Sequence, residues 1–140
     1  MINSRFSTLL LFFSGSGLFL NSLFMLIAPR IWYHELPGAV PDFGPYNEHF
    51  IRDIACVQLV FALVATAGAL RPKSRTDAIA ILALFYGTHS VLHLFDTARG
   101  FVATDHYWMD LPLVHLPALV FVLLFAFERR RSTPAGEVSS

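Results

Sequence analysis

The sequence predicts an all-α protein, an integral membrane bundle of four antiparallel helices. Of its 140 residues 55% are hydrophobic and the mean hydropathy is +0.57, which leaves too few polar residues to cover a water-soluble domain. A membrane-spanning helix needs roughly 20 predominantly apolar residues. Four stretches without Lys, Arg, Asp or Glu approach that length, at residues 6–28, 54–70, 78–95 and 111–127.

The segments between these stretches hold nearly all of the charge. Because the three shorter stretches need their polar flanks to cross a bilayer, we expect spans at residues 6–28, 50–70, 77–96 and 111–128. The first stretch is longer than the apolar core of a signal peptide and no A-x-A site follows it, so we expect it to be retained. Short connections favour antiparallel neighbours. Residues 1–131 are predicted to form a single four-span domain, followed by a disordered cytoplasmic tail at residues 132–140.

The basic residues predict the orientation, because Lys and Arg concentrate in cytoplasmic loops. Seven of the ten fall on one side of the spans, namely Arg5, Arg71, Lys73, Arg75, Arg129, Arg130 and Arg131. Arg30, Arg52 and Arg99 fall on the other. Both termini are therefore expected in the cytoplasm, and the compact, loop-poor build suggests the inner membrane of a bacterium.

Charge and cysteine content exclude several other functions. The net charge of zero argues against a nucleic-acid partner. Cys56 is the single cysteine, which excludes an intrachain disulfide and any CxxC motif.

The longest connection is the first outer one, residues 29–48. Trp32 and Tyr33 suit the membrane interface, and the Pro and Gly residues that follow them mark successive turns. Asn47 is a plausible N-cap for the second span. A connection of this length in so small a protein is often functional, and we expect it to act as a lid over the outer ends of the helices.

Ionisable side chains gather at the same outer ends, where apolar surroundings make them costly and therefore indicate a functional site. On the third span His89, His93 and Asp96 are spaced i, i+4, i+7 and share one helical face. On the second span His49 and Asp53 are spaced i, i+4. Imidazole and carboxylate together suit Zn, Fe, Mn or Cu(II). The sequence therefore predicts an outward-facing transition-metal site with these five residues as ligands.

Two further residues add cofactor alternatives at this end. His115 on the fourth span can complete the metal site, or it can act with His89 or His93 as an axial ligand of haem b. The 14 Phe residues can line a porphyrin or a quinone. Arg52 can hold an anionic group of a cofactor or substrate.

Three segments, WYHELPG, GPYNEHFIRD and HSVLHLFD, resemble an uncharacterised family of small bacterial four-span membrane proteins. The resemblance covers most of the chain, from the end of the first span to the end of the third. It implies the four-helix fold, and it directs attention to Arg52 together with the five predicted ligands. It implies no catalytic role.

Two functions of different classes follow from these features. The first is a metal-dependent membrane oxidoreductase or a metal-handling protein. The second is a non-catalytic accessory subunit of a larger membrane complex, in which the polar face meets a partner. The polar residues can also form a purely structural network, with Arg52 paired to Asp96 or Asp110 and Arg99 paired to Asp105. The expected partners are the lipid bilayer and either other subunits or further copies of the chain. The sequence leaves open whether the protein is an enzyme.

Overall fold

The structure is a computed structural model that describes residues 4–36 and 38–132. Six α-helices lie in these residues, with no strand among them. They are α1 Ser4–Ile27, α2 Pro29–Glu35, α3 Glu48–Leu70, α4 Arg75–Ala98, α5 His106–Met109 and α6 Leu116–Ser132. Short 3₁₀ turns occupy Val40–Phe43 and Pro72–Ser74, and a π-helical turn, Leu111–His115, leads into α6. The predicted all-α class is confirmed. The predicted tail comprises residues 132–140. Ser132 is the last residue of α6, and residues 133–140 lie outside the described residues.

Four of the helices are long and apolar enough to cross a membrane. The qualifying segments are Arg5–Ile27, Glu48–Leu70, Pro72–Ala98 and Leu111–Arg130, which agree with the predicted spans to within a few residues. Large apolar side chains such as Phe13, Leu63 and Leu84 remain exposed on the outward faces of these helices. An exposed apolar surface of this kind fits contact with lipid and would be a liability in water.

Helix α1 packs along α3, where small residues let the two backbones approach each other. A Cβ atom added at Gly15 would lie only 2.9 Å from Thr66 Oγ1. Further along α1, the hydroxyl of Ser22 donates to the backbone carbonyl of Ala55 at 2.7 Å. The order of these contacts is reversed between the two helices, so α1 and α3 run antiparallel.

The remaining long helices follow in series, with α3 against α4 and α4 against α6. The rings of Phe61 and Phe85 join α3 to α4, and the rings of Tyr86 and Phe121 stack between α4 and α6. All four helices contribute to one buried core toward the predicted inner end. Its members are Leu11, Leu18, Ala62, Ala65, Ala69, Ile79, Leu82, Ala83, Phe121 and Leu124.

At the predicted outer end the elements pack in two groups. Met25, Trp32 and Ile51 belong to a second apolar core shared by α1, α2 and α3. Helix α5 and the π-helical turn pack instead against α4. The polar site lies in the group formed by α4, α5 and the π-helical turn. The turn Val40–Phe43 reaches this site from the group formed by α1, α2 and α3.

Candidate functional site

The buried carboxylate of Asp110 is the centre of the polar site. Its Oδ2 accepts a hydrogen bond from Nδ1 of His93 at 2.8 Å. Nδ1 of His106 lies 3.5 Å from the same oxygen, within ion-pair range but without the alignment of a hydrogen bond. Asp110 is only 3% exposed and His106 is fully buried. Because a buried carboxylate is costly unless it is paired, the two imidazoles are the groups that compensate its charge.

The π-helical turn before α6 places Asp110 beside these two histidines. The carbonyl of Asp110 accepts hydrogen bonds from the amides of Val114 at 2.9 Å and His115 at 3.1 Å. Pro112 contributes no amide hydrogen within the turn. Single π-helical turns of this kind are frequent at functional sites. Here the turn connects the central carboxylate to a further histidine, His115, at the start of α6.

The turn Val40–Phe43 covers the site from the other group of helices. Asp42 Oδ2 accepts a hydrogen bond from Nε2 of His106 at 3.1 Å. The ring of Phe43 packs against the rings of His93 and His106, with centroids 4.7 and 5.0 Å apart. The connection that the sequence predicts as a lid therefore lies over the polar site. Asp42, His93, His106 and Asp110 are called the outer cluster below.

The backbone on either side of this turn adopts unusual conformations. Gly38 and Gly44 have φ of 124° and 142°, in the region that favours glycine. Ala39 has φ of 50° and is the one non-glycine with positive φ among the described residues. The hydroxyl of Tyr33 donates to the carbonyl of Gly44 and holds the far end of the turn. A non-glycine residue kept in the left-handed region indicates that the surrounding contacts impose the conformation of the loop.

The surroundings of His106 favour its protonated form. Burial by itself lowers the pKa of His106, because it penalises the charged ring. The hydrogen bond to Asp42 and the negative charges of Asp42 and Asp110 outweigh burial, so the pKa of His106 is raised above its ordinary value. His106 thus lies between two carboxylates and links the covering turn to the centre of the site.

His89 and His115 flank His93 on the side away from the covering turn. The ring of His89 lies 4.5 Å from the ring of His93 in an edge-on arrangement. Nδ1 of His115 is 2.7 Å from the hydroxyl of Ser90. His93 and His115 thus each have Nδ1 engaged by a polar partner. Nε2 of each ring has no hydrogen-bond partner within the described part of the chain.

The structure does not bring His49 and Asp53 to this site. They contact each other, Nε2 to Oδ2, at 3.4 Å, and their side chains are 90% and 62% exposed. The predicted ligand set, which joins them to His89, His93 and Asp96, is therefore not brought together in the structure. Helix α3 turns Ile51 and Ala55 toward its neighbours, and residues two positions away from these lie on the opposite face.

Arg52 and Asp96 also have other partners. Arg52 forms an ion pair with Glu48, one turn earlier in α3. Asp96 accepts hydrogen bonds from Arg99, with Nη2 at 2.7 Å and Nε at 2.8 Å. The pairings expected for a structural network, Arg52 with an aspartate and Arg99 with Asp105, are both wrong. Each arginine finds a carboxylate three or four residues away in the chain, where helical geometry brings the side chains together.

Three members of the outer cluster were not among the predicted site residues. His106 and Asp110 are spaced i, i+4, the same signal that His49 and Asp53 carry, so this pair was open to prediction. Asp42 carried no comparable signal, since it contacts His106 across 64 positions of sequence.

The described side chains are not arranged as a complete metal cage. Among residues 4–36 and 38–132 no three His, Cys, Asp or Glu side chains are placed to hold a metal ion as they stand. The chemistry of the donor set nevertheless suits a transition metal, because the imidazoles of His89 and His93 lie 4.5 Å apart and His115 contacts Ser90 on the same helix. Asp110 and Ser90 hold the rings of His93 and His115 through Nδ1, as is usual for metal-binding histidines.

The haem b and quinone alternatives stay predictions. Haem b requires two axial histidines on either side of an apolar slot. The aromatic rings of Phe43 and Phe85 pack directly against the rings of His93 and His89.

These observations define the class of the protein as all-α, with four helices able to cross a membrane and, at one end, a His/Asp cluster in which His93, His106 and Asp110 are largely buried. Comparisons with protein-family models, with curated proteins and with solved structures find no match to the chain. The resemblance to small bacterial four-span proteins and the accessory-subunit alternative therefore stay predictions.

Proposed function

We propose that the protein is a multi-pass protein of the bacterial inner membrane, with both termini in the cytoplasm. The four long apolar helices support insertion in a bilayer, and the seven-to-three division of the basic residues supports the orientation. The long helices form an antiparallel bundle in this membrane. In this orientation the outer cluster faces the periplasm.

The site at the outer end binds a transition-metal ion, with His89, His93 and His115 as the ligands. The observation that carries this proposal is the ring of His93, which Asp110 holds through Nδ1 at 2.8 Å while Nε2 has no partner. A carboxylate in this position orients a ligand histidine and raises its basicity, and Ser90 holds the ring of His115 in the same way. The three rings must turn toward one another for all of them to reach one ion.

A bound ion of this kind supplies Lewis-acid or redox chemistry. Metal-dependent oxidation and reduction, or metal handling, are the two activities that the site supports. Asp110 and Ser90 act as positioning residues in either case, because they hold the imidazoles and leave the remaining ring nitrogens for the ion.

Metal content of the purified full-length protein tests the proposal. The protein is purified in mild detergent without a metal-affinity resin, incubated separately with Zn, Fe, Mn or Cu, and analysed for bound metal. We expect one equivalent of one of these metals in the wild type. His93→Ala or His89→Ala should lose most of it, because each removes one of three or four ligands.

His49→Ala is the matched control, since His49 belongs to the same residue type but is 90% exposed and away from the site. This variant should keep its metal. A wild-type protein that holds well under one equivalent of each metal would overturn the proposal. Equal losses in His49→Ala and His93→Ala would also contradict it.

A further inference from the structure

Four basic side chains at the inner end of the protein have no ion-pair partner among the described residues. Arg71, Lys73, Arg75 and Arg130 form no ion pair among residues 4–36 and 38–132. These four residues are called the inner basic rim. They lie at the end of α3, at the start of α4 and near the end of α6, which places all four at the same end of the long helices.

The basic residues of the outer end, by contrast, all have partners. Arg52 is paired with Glu48 and Arg99 with Asp96. Arg30 lies over the ring of Tyr46, 5.4 Å from its centroid. The charges of the outer end are thus largely satisfied within the protein, whereas the inner basic rim remains available to an external anion.

Arg75 adds a specific observation to this contrast. Its Nε atom is buried and has no hydrogen-bond acceptor among the described residues. A buried donor without a partner is costly, and an anionic oxygen is the acceptor that relieves the cost best. Arg71 and Lys73, which precede Arg75 in the turn between α3 and α4, are exposed.

Few carboxylates lie near enough to neutralise the inner basic rim. Glu128 accepts a hydrogen bond from Ser7 at 3.0 Å. Asp77 is exposed and forms no ion pair within the described ranges. The rim therefore carries an excess of positive charge at the border of the apolar spans, which is the depth of lipid headgroups.

From this placement we infer that the inner basic rim binds the phosphate groups of anionic phospholipids in the cytoplasmic leaflet. Charge complementarity and the depth of the rim select this ligand. A basic residue near an anionic membrane surface contributes roughly 1 kcal/mol, or about fivefold in affinity. The inference rests on the membrane orientation proposed above and does not depend on the metal site at the opposite end.

Lipid retention by the full-length protein in detergent tests the inference. The protein is incubated with equal amounts of phosphatidylglycerol and phosphatidylcholine, and the retained lipid is counted by native mass spectrometry. We expect a preference for phosphatidylglycerol that falls about fivefold for each cation neutralised in the series Arg71→Gln, Lys73→Gln, Arg75→Gln and Arg130→Gln. High salt should weaken the same preference.

Arg99→Gln is the matched control, because Arg99 is held by Asp96 at the outer end. This variant should keep the preference for phosphatidylglycerol. Equal retention of the two lipids by the wild type, or the same loss in Arg99→Gln, would overturn the inference. Displacement of phosphatidylglycerol by excess inorganic phosphate would identify a site for free phosphate and overturn it as well. If the variant that carries all four substitutions fails to fold, the test rests on Lys73→Gln alone and on the salt series. A preference for phosphatidylglycerol that is unchanged in both would overturn the inference.

Discussion

Nδ1 of His93 on α4 and Oδ2 of Asp110 before α6 are 2.8 Å apart, and both side chains are largely buried. Since an ionised carboxylate only accepts hydrogen bonds, Asp110 places the ring hydrogen of His93 on Nδ1. When the ring is neutral, its lone pair is then on Nε2, which is the atom that a metal ion needs. Asp110 is therefore the aspartate that orients His93, one of the proposed metal ligands.

Asp110→Asn should weaken metal binding about 10- to 100-fold, because His93 loses the carboxylate that orients it. Asp96→Asn is the matched substitution at the aspartate predicted from the sequence. It should have little effect, since Asp96 is paired with Arg99. Competition with a chelator of known affinity measures both changes. A larger loss in Asp96→Asn than in Asp110→Asn would restore the ligand set predicted from the sequence.

The contact between Asp42 on the covering turn and His106 should depend on pH. The pKa of His106 is raised in the folded protein, so the contact contributes its full stability below the ordinary histidine pKa of about 6.5. The contribution is lost as pH rises through the raised pKa of His106. We therefore expect the turn Val40–Phe43 to loosen at higher pH, and hydrogen exchange at the amide of Asp42, corrected for the intrinsic effect of pH, measures this.

Asp42→Asn should lower the pKa of His106 toward its ordinary value, because it removes one of the two carboxylates. Titration of the His106 ring protons by NMR in the metal-free protein measures the change. Asp105→Asn is the control, since Asp105 adjoins His106 in the chain but forms no ion pair among the described residues. The same pKa in the wild type and in Asp42→Asn would contradict the proposed link.

Gly68→Ala should destabilise the protein by about 1–3 kcal/mol, because overpacking forces neighbouring groups apart. A Cβ at Gly68 would lie 2.5 Å from Ala78 Cβ, where α3 approaches α4. Gly17→Ala provides the control, since nothing lies within 4 Å of the added atom. This second variant should be neutral or gain up to about 1 kcal/mol from helix propensity. Thermal unfolding in detergent compares them, and equal stabilities would argue against the close approach of α3 and α4.

Cysteine labelling should place Asp105 on the periplasmic side of the membrane and Asp77 on the cytoplasmic side. In a Cys56→Ser background, a single cysteine at position 105 is expected to react with an impermeant reagent in intact cells. A cysteine at position 77 should react only after the membrane is opened. The physical reason is the concentration of basic residues at the end that carries Asp77. The opposite pattern would invert the orientation and move the outer cluster to the cytoplasm.

The sequence by itself determined the four long helices, because local chemistry is enough to define them. The short helices α2 and α5 lie in stretches that the sequence predicted as connections. Long apolar runs exclude loops at these positions, and Pro72 interrupts the chain just after α3. Asn47 caps α3 as expected, with its side chain accepting a hydrogen bond from the amide of Phe50 at 3.0 Å. The spacing of His89 and His93 likewise places both on one face of α4, which the contact between their rings reflects.

Only the tertiary structure decided which of these faces meet. His49 and Asp53 have the same favourable spacing as His106 and Asp110, yet the first pair is exposed and the second is buried. The difference arises because Ala55 and Ile51 turn inward when α3 packs against its neighbours, and this rotation depends on close contacts with other helices. The contact of Asp42 with His106 depends in turn on how two groups of helices come together, and helical spacing carries no information about that arrangement.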